Sequence, residues 1–123
     1  MIAAHLCHRS ETIRAESVDA LLNVARSFDG NTIIAGDLNS SPPELRNTVA
    51  SDVNAISTLD DSKMFQRRPV ERPISPEQFT FLFGDVKTVI DWIFIPGHAT
   101  FINYQVIESD LSDHRPVVAE IRF

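Results

Sequence analysis

The stretch Val89-Ile90-Asp91-Trp92-Ile93-Phe94-Ile95 constrains this chain more than any other. In extended backbone its side chains alternate, so Val89, Ile93 and Ile95 point one way while Ile90, Trp92 and Phe94 point the other. A strand apolar on both faces must be covered on both. The rest of the sequence offers one long helix and one short one, enough for about one face of a five-stranded sheet, so a further layer is expected on the other. Asp91 interrupts this strand. A lone carboxylate there is costly unless a donor, a cation or a metal compensates it, or unless it caps backbone at a wet strand end.

The chain has 123 residues, which suits a single folding unit spanning 1–123. A hydrophobic share of 43% with 23% charged residues fits a soluble globular domain. Seventeen acidic residues against 11 basic ones give a net charge of -6, so no uniformly basic surface invites a nucleic-acid backbone. The single cysteine, Cys7, cannot form an internal disulfide, and a reducing cytoplasm is the default compartment. No apolar run approaches a membrane span, and no signal-peptide pattern opens the chain.

Ile2 to Leu6 reads as a buried strand. Ser10 is a natural N-cap for a helix to Phe28, with Val18, Leu21, Leu22, Ala25 and Phe28 on its apolar face and Asp29-Gly30 as its stop. Thr32 to Ala35 is a second strand, which makes a βαβ unit with parallel strands. Gly36 to Pro43 reads as a loop, and Pro43 opens a short helix to about Ala50. Residues 52–78 read as a long polar surface loop with room for one helical turn, Arg67-Arg68 included. Thr80 to Phe83, a turn at Gly84-Asp85 and Val89 to Ile95 form an expected hairpin. Phe101 to Glu108 and the alternating Val117 to Phe123 complete a mixed α/β sheet with helices on one face.

Two further polar groups stand out beside Asp91. Asp37 and Asn39 lie two apart just beyond the C-terminal end of a parallel strand, where open α/β sheets bind ligands. The same residues also make ordinary turns by bonding their own backbone. Ser112-Asp113-His114-Arg115-Pro116 precedes the last strand, and neighbouring side chains in such a turn diverge. Asp113 can therefore face a metal while His114 faces a substrate phosphate or a second carboxylate, for which Asp91 is the natural choice.

In chain order, Gly36-Asp37-Leu38-Asn39, Ile90-Asp91-Trp92-Ile93 and Ser112-Asp113-His114-Arg115-Pro116 resemble the GD-x-N, I-D-x-I and S-D-H-x-P motifs of the endonuclease/exonuclease/phosphatase family, which has the DNase I-like fold. His5 resembles the family's histidine upstream of the GD-x-N strand, and Thr80-Phe81 its threonine-aromatic pair. The resemblance covers nearly the whole chain but only the second half of the family's four-layer α/β sandwich. The asparagine and metal-binding glutamate of the earlier half have no counterpart here. It implies Asp113 as a metal carboxylate and Asp37 as the group that orients or deprotonates the attacking water and touches the metal. It further implies Asn39 holding water or phosphate, His114 set by Asp91 against the scissile phosphate, and His5 as a second phosphate donor. Mg²⁺, with Mn²⁺ as the alternative, is the implied cofactor. The implied substrate is a phosphate ester: nucleic acid, phosphoinositide or another phosphodiester.

Two rival readings stay open at this level. His5-Leu6-Cys7-His8 contains zinc-ligand types, although strand alternation separates them and structural zinc wants four ligands. A chain that holds half of a sandwich can also act as a non-catalytic interaction module, pairing an open sheet face with a missing N-terminal half or with a second copy of itself.

Overall fold

The computed structural model describes residues 1–28, 31–45, 53–70 and 74–123. In chain order its elements are β1 (Ile2–His5), α1 (Glu11–Arg26), β2 (Ile34–Asp37), α2 (Ala55–Asp61), β3 (Phe65–Arg67), β4 (Phe81–Phe83), β5 (Val86–Thr88), β6 (Asp91–Pro96), β7 (Thr100–Val106) and β8 (Val117–Arg122). Short 3-10 turns occupy Pro43–Leu45 and Pro76–Gln78. The strands form a four-stranded sheet in the order β1-β2-β6-β3 and two hairpins, β4-β5 and β7-β8. The architecture is the expected mixed α/β one: β1 and β2 are parallel, and β6 runs antiparallel to both β2 and β3.

Local chemistry explains the βαβ unit. The Ser10 hydroxyl accepts the Ile13 N–H at 3.3 Å, satisfying one of the donors that a helix start leaves free. Val18, Leu22 and Ala25 then bury against Ile34, Trp92 and Phe94, joined by Ile56 and Leu59 of α2, so both helices cover one face of the sheet. Phe28, placed on that apolar face by periodicity, is 60% exposed just beyond the last turn. Arg14, on the same helix, is buried instead, because its guanidinium donates to the Cys7 carbonyl at 2.6 Å and to Glu11 at 2.5 Å. The Asp29-Gly30 stop and most of the helix expected from Pro43 to Ala50 lie outside the described residues.

Part of the segment read as a polar surface loop is core, while Asp61, Lys63, Arg68 and Ser75 to Glu77 are exposed as expected. Ile56 and Leu59 are fully buried, and Phe65 on β3 packs edge-on to Phe94 with ring centroids 6.5 Å apart. Arg67 of the Arg67-Arg68 pair is not solvated, whereas Arg68 is exposed. Arg67 is 6% exposed, lies over the Trp92 ring at 4.9 Å and holds the Asp60 carboxylate at 2.7–3.2 Å. A cation that is both stacked and paired can sit inside a sheet edge, which composition alone reads as wet.

The hairpin expected between residues 80–83 and 89–95 is also different. β4 turns back on the short β5, and the apolar strand continues into the main sheet as β6. Of its apolar residues, Val89, Ile90, Trp92, Phe94 and Ile95 are buried and Ile93 is half-buried. The chain's own β7-β8 hairpin, whose Val117, Ala119 and Ile121 are the less exposed residues of β8, supplies part of the second cover that such a strand demands.

Candidate active site

Registry brings the polar residues of three strands into one row. His5 on β1 pairs with Asp37 on β2, and Asp37 pairs with Asp91 on β6, so their side chains share the sheet face opposite the helices. All three stand at the same end of the sheet, because β1 and β2 finish there and the antiparallel β6 begins there. Gly36 makes the approach of β1 to β2 feasible: its φ is +140°, and a Cβ would stand 2.0 Å from the Ala4 carbonyl oxygen.

Asp37 ends β2 in a tight turn. Asn39, at φ +49°, donates its N–H to one oxygen of Asp37 at 2.8 Å and its side-chain amide to the other at 3.1 Å. The same amide reaches the Leu6 carbonyl at 3.0 Å and ties the turn to the end of β1. The turn chemistry weighed for this pair is therefore present, and it also aims the Asp37 carboxylate at the row. His5 Nε2 lies 3.5 Å from that carboxylate.

His114 closes the cluster. Its Nδ1 meets the two Asp91 oxygens at 3.0 and 3.2 Å, which leaves Nε2 directed away from Asp91. The histidine is held by a strand-like clamp: Leu82 N–H donates to Asp113 O at 2.8 Å, Arg115 N–H donates to Thr80 O at 2.7 Å, and the Phe81 ring packs edge-on at 5.0 Å. Thr80 is fully buried, and its hydroxyl oxygen accepts the N–H groups of Ile90 and Asp91, both at 3.1 Å. Burial pushes the Asp91 pKa up, as does the nearby Asp37 charge, while hydrogen bonds from Thr80 and His114 pull it down; the net direction is upward.

Ligand atoms of Asp37, Asp91 and His114 all lie within 4.8 Å of one another, the only such group of three among the described residues. Asp113 stands outside it. Its carboxylate is exposed and accepts from the Ser112 hydroxyl at 3.2 Å, at the rim of the same end. Cys7 and His8 join no ligand group among the described residues, and His8 is exposed beside Arg9.

Beneath the row lies a network that sequence reasoning missed. The Glu11 carboxylate accepts from the Ser40 hydroxyl at 2.6 Å, Ala55 N–H at 2.9 Å and the Asn54 amide at 3.3 Å. Ser40 O in turn accepts the Trp92 indole N–H at 2.8 Å. This bolts the residue after Asn39 to two helix starts and to β6. Burial alone would push Glu11 up, but the bonds from Arg14, Ala55 and Ser40, with the Arg14 charge, outweigh it and hold its pKa below the usual range. No sequence signal marks it, since its partners are dispersed along the chain.

A model of the endonuclease/exonuclease/phosphatase family matches residues 4–114. Among solved structures, a mannosyl-6-phosphatase of Bacteroides thetaiotaomicron is similar over 98% of this chain and 50% of its own, with a TM-score of 0.67 and 18% sequence identity. At that identity the likeness is one of fold, and this chain spans about half the length of that relative. No curated protein sequence matches the chain.

Proposed function

Since the chain belongs to the endonuclease/exonuclease/phosphatase family, we propose that its polar row is the catalytic end of a metal-dependent phosphoesterase that hydrolyses a phosphate ester by in-line attack of water. The observation that carries this reading is the register row His5–Asp37–Asp91 with His114 hydrogen-bonded to Asp91. A carboxylate that fixes the protonated ring nitrogen of a histidine leaves the other nitrogen free to bind a phosphate oxygen or to exchange a proton with it. Asp37, held by Asn39, is the carboxylate best placed to orient and deprotonate water, and His5 beside it adds a donor for a second phosphate oxygen.

The donor set suits a divalent cation. Mg²⁺ uses one or two protein carboxylates and leaves the rest of its shell to water and substrate oxygen, and Asp37 and Asp91 offer two within reach. Asp113, at the rim, would serve as a further carboxylate; the imidazole among the three would favour Mn²⁺. The ion, when bound, would stabilise negative charge on the phosphate. Substrates of the class are phosphodiesters such as nucleic acid or phosphoinositide head groups, and sugar phosphates by analogy with the phosphatase of similar fold. With no glutamate beside Asp37 and Asp91 among the described residues, the chain alone is expected to hydrolyse bis(p-nitrophenyl) phosphate at background rate.

The test is therefore binding first. Amide NMR spectra under Mg²⁺ titration should shift Asp37, Asn39, Asp91 and His114 together, and inorganic phosphate should then shift His114. Mg²⁺ shifts confined to exposed acidic residues elsewhere would sink the reading. A second reading, an interaction module, draws on the apolar side chains that β7, β8 and their flanks expose, Ile102, Leu111, Val118 and Phe123. Sedimentation of a stable dimer with no metal response at the row would favour it.

A further inference from the structure

The proposed chemistry makes no use of Glu11, whose side chain is 10% exposed and paired with the 7% exposed side chain of Arg14. Well-packed apolar residues in place of a buried ion pair are often as stabilising or more so, so stability by itself gives no reason for charge at this point. What the pair does is hold two loops at once. On one side Glu11 accepts from the hydroxyl of Ser40, the residue after Asn39, at 2.6 Å. On the other, Arg14 donates to the carbonyl of Cys7, two residues after His5, at 2.6 Å. These loops leave β2 and β1 at the end of the sheet where Asp37 and His5 stand side by side.

The turn after Asp37 needs such support. Asn39 has a φ of +49°, a left-handed conformation that persists where the surrounding structure imposes it. The Asn39 side chain holds one side of the turn by bonding Asp37 and the Leu6 carbonyl. Ser40 holds the other: it is fully buried, its hydroxyl donates to Glu11, and its carbonyl accepts from the Trp92 indole. Leu38 N–H and the Ser41 hydroxyl donate to the Ile90 and Val89 carbonyls at 2.8 and 2.5 Å, which fixes the turn to the approach of β6. The Ser40–Glu11 bond ties it instead to α1 and, through Arg14, to the exit of β1.

We propose that Glu11 is a positioning residue for the row: through Ser40 it holds the Asp37–Asn39 turn, and with it the Asp37 carboxylate, against the end of β1 that carries His5. Its effect on cation binding rests on the phosphoesterase reading above; its effect on the geometry of the turn does not. Glu11 itself touches neither cation nor phosphate in this role, and its influence passes through one hydroxyl.

The experiment compares the intact chain with its Ser40→Ala variant by amide hydrogen exchange without metal and by separate NMR titrations with Mg²⁺ and inorganic phosphate. Ser40→Ala deletes the hydroxyl and leaves the bonds of Glu11 to Arg14, Asn54 and Ala55 in place. The Asn39 amide, which donates to Asp37, should then exchange roughly fivefold faster, the scale of one lost hydrogen bond, beyond any change shared with the core amides of Val18 and Leu22. Mg²⁺ affinity at Asp37 and Asn39 should fall about tenfold, while the phosphate shift at His114, whose partner is Asp91, stays. Glu11→Ala should speed Asn39 exchange at least as much, and adding Ser40→Ala to it should add nothing, since both cut the same bond. Unchanged Asn39 exchange in Ser40→Ala would overturn the proposal, as would equal gains at Asn39 and the core amides, the mark of general loosening, or Mg²⁺ affinity at the row equal to that of the unaltered chain. Additive effects of the two substitutions would overturn the route from Glu11; if Glu11→Ala does not fold, the Ser40→Ala outcomes decide by themselves. Faster Asn39 exchange in a chain whose row shows no Mg²⁺ response even unaltered would uphold the positioning role and defeat the phosphoesterase reading, so the two failures are distinguishable.

Discussion

Glu11 and Asp91 are both removed from water near the same end of the sheet, yet their surroundings act on them in opposite directions. Glu11, with its side chain 10% exposed, receives donors from a guanidinium, a hydroxyl, an amide and a backbone N–H, and its pKa is lowered. Asp91 has only Thr80 and the His114 imidazole to offset its burial and the neighbouring Asp37 charge, and its pKa is raised. The difference separates two uses of a buried charge. A carboxylate whose acceptors are filled fixes structure, whereas one left short of donors and next to Asp37 takes up a proton more readily and, under the function proposed above, would face a cation.

The largest expected effect lies on the filled side. Glu11→Ala removes the shared acceptor from Arg14, Ser40, Asn54 and Ala55, and breaking a buried pair in this way costs about 3–5 kcal/mol. Urea unfolding should show it, and a loss under about 1 kcal/mol would mean that water replaces the carboxylate and that the network is not structural.

Thr80 links the two regimes, because its hydroxyl receives two backbone N–H groups at the start of β6. Thr80→Val keeps the shape and deletes the acceptor, with an expected loss of about 1–3 kcal/mol. Thr80→Ser should recover most of it; if it does not, methyl packing and not the hydrogen bonds is the cause.

On the open side, Asp37→Asn should leave the urea midpoint nearly unchanged and weaken Mg²⁺ binding roughly 10- to 100-fold, the scale of losing an ordered partner at a metal site. Calorimetric or NMR affinities equal to those of the unaltered chain would remove Asp37 from the cation site.

The smallest effect is the sharpest test of the contrast. Asp91→Asn should change stability at neutral pH by no more than about 1 kcal/mol, since the charge it removes is disfavoured there. Because the folded pKa of Asp91 is raised, its contribution is fully present below the unfolded value of about 3.9 and is lost as pH rises through the folded pKa. Glu11→Gln should show the reverse slope: the Glu11 contribution is present above about pH 4.3 and is lost as pH falls through the depressed folded pKa. Parallel slopes for the two variants in acid titrations of unfolding would erase the distinction.

Much of this was legible from residue order because its causes are local. The Ser10 cap, the apolar spacing of Val18, Leu22 and Ala25, and the alternation along β8 are each settled within a turn or a strand. The Asp37-Leu38-Asn39 turn was legible for the same reason, and the motif order pointed to the family before any contact was known. Within residues 53–70, Phe65 and Arg67 were misread because their burial depends on partners far away: Arg67 looks wet until Asp60 and the Trp92 ring are beside it, and Phe65 looks isolated until Phe94 arrives. The register that aligns His5, Asp37 and Asp91 and the placement of Glu11 under the Ser40 turn were likewise tertiary decisions. Period-2 alternation says which side chains share a face of one strand, but only pairing between strands determines which carboxylate stands opposite which, and that pairing is set by the packing of the whole sheet against its helices.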